Sequence, residues 1–388
     1  MVDAGVAVER IPLSVPSITD HERARVMECL ESGWVSTAGP QINELEERIS
    51  TLLGVEHAVA VVSGTAALHL ALLGAGADAG AEVVLPSLTF VATANAVSYC
   101  GATPVFADVR AASATLDPAG VEELVGSRYR PERGRLVEPQ TGRRLAAVIA
   151  TDLFGHPADG HALRALAAGW GVPLIEDAAE ALGASGWGTP AGALGHIGVL
   201  SFNGNKVITA GGGGMLVTSD ASIADRARHL ATQARVHAIE YRHDAIGFNY
   251  RMPSLNAALA LAQLDRLPEL VAARQANRAR YAERLGDRIM SEEPWASSSF
   301  WLTSLLLHRP CSRTEILEIV SACAREGVDI RPFFAPVHEL APYADAPRGP
   351  LAVTADLYAR GLNLPSSFGL SDEDVDRVCA AVRGATGT

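Results

Sequence analysis

A primary amine that can lose its proton forms a Schiff base with a carbonyl, and one side chain in this sequence is able to do so. Lys and Arg together number 32; one of them is Lys206 and the other 31 are arginine. A guanidinium stays protonated and is a poor nucleophile, whereas a buried ε-amine can deprotonate and attack. A lone lysine among arginines therefore points to amine chemistry, the plain alternative being a surface residue left by chance. Its surroundings favour chemistry. Ser201-Phe202-Asn203-Gly204-Asn205-Lys206 carries a strand-like run into a polar loop, and Gly211–Gly214 follow. Glycines there let backbone pass close to a planar ligand. The lysine has no Ser or Thr after it and lacks the glycine spacing of a P-loop, so it is not a triphosphate clamp.

Two further groups belong with it. Leu174-Ile175-Glu176-Asp177 is an apolar run ending in a carboxylate. An aspartate at such a place can bond a protonated ring nitrogen and hold its proton there, which makes a pyridoxal phosphate ring an effective electron sink. As a single residue Asp177 reads equally as a helix cap. The run His57–Val62 leads into Ser63-Gly64-Thr65-Ala66-Ala67, which opens a helix. Backbone N–H groups, a hydroxyl and the helix dipole there make an anion cup, or else an ordinary serine cap. Phe90 follows another strand and could stack on an aromatic ring or fill the core. His156 and His161 lack the spacing of metal ligands, and no metal is expected.

The elements that must position these groups are short, nearly continuous apolar runs: His57–Val62, Glu82–Leu85, Pro104–Phe106, Leu145–Thr151, Pro173–Glu176, Gly198–Phe202 and Gly214–Thr218. Such runs suit strands buried on both faces. Helical stretches such as Thr65–Leu73 and Ala162–Trp170 lie between them. The alternation predicts an α/β fold with a mostly parallel seven-stranded sheet and ligands at its carboxyl edge. A long helical stretch, Ser254–Leu285, is interrupted at Pro268, and strand-like runs Phe300–Leu307 and Val328–Arg331 and a helix Asp372–Arg383 follow. The reading is a large unit over 1–253 and a smaller α/β unit over 254–388. Polar, arginine-rich Gly126–Arg144 reads as a surface excursion.

Composition narrows the partners. A formal charge of −12 argues against nucleic acid and anionic membrane. No run of 18 apolar residues is present, and Met1–Arg10 has an acid at Asp3 and no apolar signal core. The five cysteines are scattered and never form a C-x-x-C pair, which suits free thiols in the cytoplasm. Gly74-Ala75-Gly76 closes a helix and is no dinucleotide fingerprint, which counts against a Rossmann reductase.

In order along the chain, these segments resemble the sugar aminotransferases of the DegT/DnrJ group, which have the type I fold of pyridoxal-phosphate enzymes. The resemblance begins at Ile11-Pro12-Leu13-Ser14 and Ser32–Thr37 and runs through Ser63–Leu72, Pro86–Asn95, Gly101–Phe106 and Ile175–Ala179 to Gly247–Met252 and Ala262–Leu267. It implies that Lys206 carries pyridoxal 5'-phosphate as a Schiff base and moves a proton, while Asp177 binds the ring nitrogen and Phe90 stacks on the ring. Gly64, Thr65 and Ser201 would hold the phosphate, and Asn203 would be a further cofactor contact. Asn249 would reach the cofactor of a neighbouring subunit, making the active unit a homodimer. Glu180 stands where relatives often carry Gln or His near the phenolic oxygen. Gly211–Gly214 stands where many read Gly-Glu-Gly-Gly.

A narrower resemblance, carried by Ser201–Thr209 with its glycines and by Arg135–Arg144, is to the LegC-like branch. It implies transfer of an amino group from L-glutamate to a UDP-linked 2-acetamido-4-keto-6-deoxyhexose. The alternatives are a dTDP- or GDP-linked keto-sugar, a keto-inositol, or a fold-only regulator without turnover. Trp34, Ser36, Arg242, His243, Arg331 and His338 are the candidates for contacts to the nucleotide sugar, surface solvation being the plain role for each.

Overall fold

The computed structural model describes residues 9–237 and 239–387. Most of the amino-terminal stretch read above as lacking a signal core, Met1–Val8, lies outside the described residues.

Seven strands form the main path of the central sheet: β1 (His57–Val61), β2 (Ala81–Pro86), β3 (Thr103–Ala107), β4 (Arg144–Thr151), β5 (Leu174–Asp177), β6 (Ile197–Ser201) and β7 (Gly214–Thr218). Their order is β1-β7-β6-β5-β4-β2-β3, and only β7 runs against its neighbours. The strands read from sequence are these seven, within a residue or so at each end. They are mostly apolar because both faces are covered. Alternate residues such as Ala58, Ala60, Met215 and Val217 pack into one core, and Val59, Val61 and Leu216 into the other.

The register fixes the functional edge. Thr151 and Val199 pair with Asp177, while Val61 and Ser201 flank Gly214. The carboxyl ends of β1, β4, β5 and β6 and the start of antiparallel β7 therefore share one side. Helix α1 (Gly64–Gly74) leaves β1 on that side, its start capped by Ser63 Oγ accepting from Ala66 N at 3.1 Å.

The stretch interrupted at Pro268 is two helices, α2 (Ser254–Asp265) and α3 (Leu267–Leu285), with Pro268 in the first turn of the second, where a missing N–H costs nothing. A second sheet, Thr303–Leu306, Gly361–Leu364 and Arg331–Pro332, follows with its own core around Tyr281, Leu305, Ile330 and Val378. Ile11, from the start of the chain, bridges Val328 and joins that core. Gly126–Arg144 is largely exposed, the surface excursion read from its polarity, and it carries regular structure. Arg130–Glu132 and Arg135–Val137 pair as a hairpin that leads into β4. Exposed, polar strands leave no apolar period to read.

Two buried acids tie the ends of β4 and β5 together. Glu176 accepts from the N–H groups of Gly192, Leu194 and Gly195. Asp152 Oδ1 accepts from Ala158 N at 2.8 Å, but its Oδ2 is sealed from solvent with no hydrogen-bond partner among the described residues. Burial, with the Glu176 carboxylate beside it, pushes Asp152 well above the usual carboxylate range, so the proton between the two acids sits on Asp152. A folded-state value raised above 3.8 gives stability that is complete at lower pH and is lost as pH rises toward the folded value. Asp152→Asn keeps a donor and removes the titration. Thermal melts should show the variant gaining on the parent from about pH 4 upward; parallel melting profiles at pH 5 and pH 8 would refute this.

Candidate active site

The strand ends enclose a cavity of about 350 Å³ lined by Ser63, Gly64, Thr65, Phe90, Asp177, Glu180, Ser201, Asn203 and Lys206, among others. Nine residues named from sequence thus meet in one place, Ser63 of the cup and eight of the expected cofactor contacts.

Lys206 reaches it from the loop after β6, which Lys206 N closes on Asn203 O at 3.0 Å. Its Nζ lies 3.1 Å from Glu180 Oε1 and 3.8 Å from the centre of the Trp301 ring. Asp177, at the end of β5, begins no helix, so the capping role is not the one it plays. Instead its Oδ1 accepts from Ala179 N at 3.3 Å and its Oδ2 from Thr93 Oγ1 at 2.8 Å. Behind Thr93, Thr89 Oγ1 lies 3.1 Å away and bonds Thr151 Oγ1 at 3.2 Å, so a row of hydroxyls fixes the carboxylate. Burial is the main cause that raises the Asp177 pKa to about 6, with Glu180 adding to it and Thr93 opposing.

At the other end, the start of α1 lies beside the glycine run, Ser63 forming a bridge with Gly213, and Gly212 and Gly213 join it in lining the cavity. The glycine run has a steric reason. Gly213 has φ 143°, which side chains avoid, and a Cβ on Gly214 would collide with the backbone of Ser63 and Gly64. Gly214→Ala is therefore expected to cost ~3 kcal/mol and to push the cup open. An unchanged melting temperature with normal cofactor uptake would show that the backbone relaxes freely.

Phe90 is half exposed and packs on Phe334 at 5.4 Å between ring centres, so it is a cavity wall and no core residue. Thr93, Thr151, Trp301 and Phe334 also line the site and were not singled out from sequence. Thr93 lies in the Pro86–Asn95 segment, and its hydroxyl beside a strand end was the available signal. Trp301 and Phe334 arrive from the far part of the chain, with no local signal.

The other candidates lie outside the cavity of their own chain. Asn249 is exposed and accepts from Gln233 Nε2. Arg242 pairs with Glu240, and His243 Nδ1 contacts Gln233 O, both on an exposed hairpin with Arg235–His237. Trp34 and Ser36 are exposed ahead of helix Pro40–Leu53. Arg331 pairs with Asp329, and His338 Nδ1 contacts Ser87 Oγ at 2.6 Å. His156 accepts from Glu293 N, and His161 stacks on Trp187.

Residues 16–383 match the model of the DegT/DnrJ/EryC1/StrS aminotransferase family. The chain belongs to that family. It is similar to the GDP-perosamine synthase of Caulobacter vibrioides, with 37% identity over 96% of this chain and 97% of that one. The GDP-perosamine synthase of Escherichia coli O157:H7 is 34% identical over 96% and 97%. The solved structure of DesI in the presence of its TDP-sugar product superimposes with TM-score 0.84 at 34% identity, covering 98% and 95% of the two chains. The protein is a pyridoxal-phosphate-dependent sugar aminotransferase of this family.

The residues present fit that cofactor. A buried carboxylate whose pKa has risen to about 6 calls for a cationic partner, which a protonated pyridine supplies. The helix start and the glycine backbone beside it suit a phosphate, and Lys206 is the only amine side chain in the chain. Among the described residues, no helix is long and apolar enough to cross a membrane.

Proposed function

We propose that this aminotransferase moves an amino group from L-glutamate to a GDP-linked 4-keto-6-deoxy sugar, using Lys206 and Asp177. The observation that carries the chemical part is the meeting of the unique amine, a fully buried strand-end carboxylate and a helix start in one cavity. When bound there, pyridoxal phosphate supplies the electron sink that lets an amine's α-proton be removed. Lys206 would hold the cofactor and would carry that proton on its amine. Asp177, steadied by Thr93 and Ala179, keeps the ring nitrogen protonated. Phe90, in the cavity wall, would stack on the ring. Ser63, Gly64, Thr65, Ser201 and Asn203 would take the phosphate by backbone and side-chain donors, since among the described residues no arginine lines the cavity.

For the acceptor, the UDP-linked hexose implied by the narrower resemblance gives way to the GDP-linked alternative. The relatives compared above include two GDP-perosamine synthases, and the LegC-like branch gains no specific support. The active unit in this reading is a cytoplasmic homodimer. Asn249, Arg242 and His243 stand on an exposed segment that also bares Val236, Tyr241 and Ile246, as a surface covered by a second copy would. They would complete the partner's site, with Trp34, Ser36, Arg331 and His338 left as candidates for the nucleotide.

A panel of GDP-, dTDP- and UDP-linked 4-keto-6-deoxy sugars, supplied with glutamate and followed by mass spectrometry, tests the reading. Amination of the GDP sugar is expected. Turnover of UDP sugars alone would overturn the acceptor assignment while leaving the transaminase intact.

A further inference from the structure

A lysine that carries the cofactor is free of it for part of every turnover, and its amine then needs a defined place. We infer that Glu180 and Trp301 form a rest position for the free Lys206 amine, fastened by the Phe154–Gly155 turn. The inference rests on the reading of Lys206 given above.

Lys206 Nζ sits between an anion and a π face, 3.1 Å from Glu180 Oε1 and 3.8 Å from the Trp301 ring centre. All three side chains are largely withdrawn from water, where both attractions are strongest. The second oxygen of Glu180 is committed elsewhere, accepting from Phe154 N at 2.8 Å. Phe154 has φ 57° and ψ 14°, a left-handed conformation that a bulky residue adopts only when its surroundings hold it. Gly155 follows with φ 98°, and a Cβ there would collide with Ser299 Oγ and Trp301 N. The turn carries the segment bearing Trp301. Phe154 O accepts from Leu302 N at 3.3 Å, and Gly155 O accepts from Ser299 N at 3.1 Å and Ser298 Oγ at 2.7 Å. Trp301 Nε1 then donates to Asn205 O at 2.6 Å, next to Lys206 itself. The loop is closed: the carboxylate that holds the amine also holds the turn that sets the indole over it.

Glu180 and Trp301 are thus positioning residues for Lys206. They would keep the amine oriented and shielded between its two bonded periods.

The chain's single lysine makes the test direct. Enzyme converted with glutamate to its pyridoxamine form is pulsed with an acetylating reagent at pH 7.5, and peptide mass spectrometry compares Lys206 with the α-amino group as internal reference. Glu180→Gln and Trp301→Leu should each raise relative labelling of Lys206 several-fold, while Trp301→Phe, which keeps a π face but loses the Asn205 bond, stays near the parent. Unchanged labelling in both Glu180→Gln and Trp301→Leu, with melting temperatures preserved, would overturn the rest position. So would equal labelling of Trp301→Phe and Trp301→Leu above the parent, which would mark Trp301 as packing only. The reading of Lys206 fails separately, if Lys206→Arg retains the absorption of a lysine-bound cofactor.

Discussion

Lys206→Arg is expected to lower turnover by ~10⁴-fold or more, the scale seen when a residue at the centre of a catalytic unit is removed. Arginine keeps the positive charge, so the attraction to Glu180 and the face of Trp301 survives and the fold should hold. What disappears is an amine able to shed its proton and bond a carbonyl. No other lysine exists to substitute for it. The purified variant should bind pyridoxal phosphate without the absorption of a lysine-bound cofactor and without covalent retention after borohydride. A variant with a normal spectrum and more than one per cent of parental turnover would remove Lys206 from the mechanism.

Asp177→Asn should cost ~10²–10⁴-fold, as expected when a pre-set charge facing a developing charge is lost. The amide keeps the size and an acceptor for Thr93, but cannot hold a proton on the ring nitrogen. The same change should stabilise the cofactor-free protein. Asp177 is 4% exposed, and its pKa rises from 3.8 to about 6. A raised folded-state value means stability that is complete below 3.8 and lost as pH climbs through about 6. A rise of about two units corresponds to ~3 kcal/mol at most, realised above pH 6. At pH 8 the cofactor-free variant should therefore melt above the parent, and at pH 4 the two should coincide. With cofactor bound, the order should reverse. A parent and variant that melt together at every pH would show that the carboxylate is not penalised by its burial. The linked gain in stability and loss of rate is what a functional group held against its solvation preference produces.

Much of the fold was legible because its signals are local. Short strands buried on both faces leave runs such as Leu145–Thr151 that no exposed element would show. Pro268 marked the division between two helices because proline tolerates only a helix's first turn. The Arg130–Val137 hairpin left no such mark, since exposed strands of polar residues carry no apolar period. Glycines at 211–214 were read as room for a ligand; their packing against Ser63 and Gly64, distant in sequence, is a second reason that only the folded chain contains.

By itself, the sequence determined the chemistry: one amine, a carboxylate ending an apolar strand, and a helix opening on Ser63-Gly64-Thr65. These follow from residue types and short spacings, which propensity and strand polarity turn into positions along one sheet edge. The tertiary structure decided how the amine is held. Glu180 and Trp301 are 26 and 95 positions from Lys206, and Thr93 is 84 from Asp177. No periodicity links such distances; only the sheet register and the strained turn at Phe154 bring those groups within bonding range. Lys206 is thus named by composition and placed by the fold, because bond-forming ability belongs to a residue while charge, orientation and access belong to its neighbours in space.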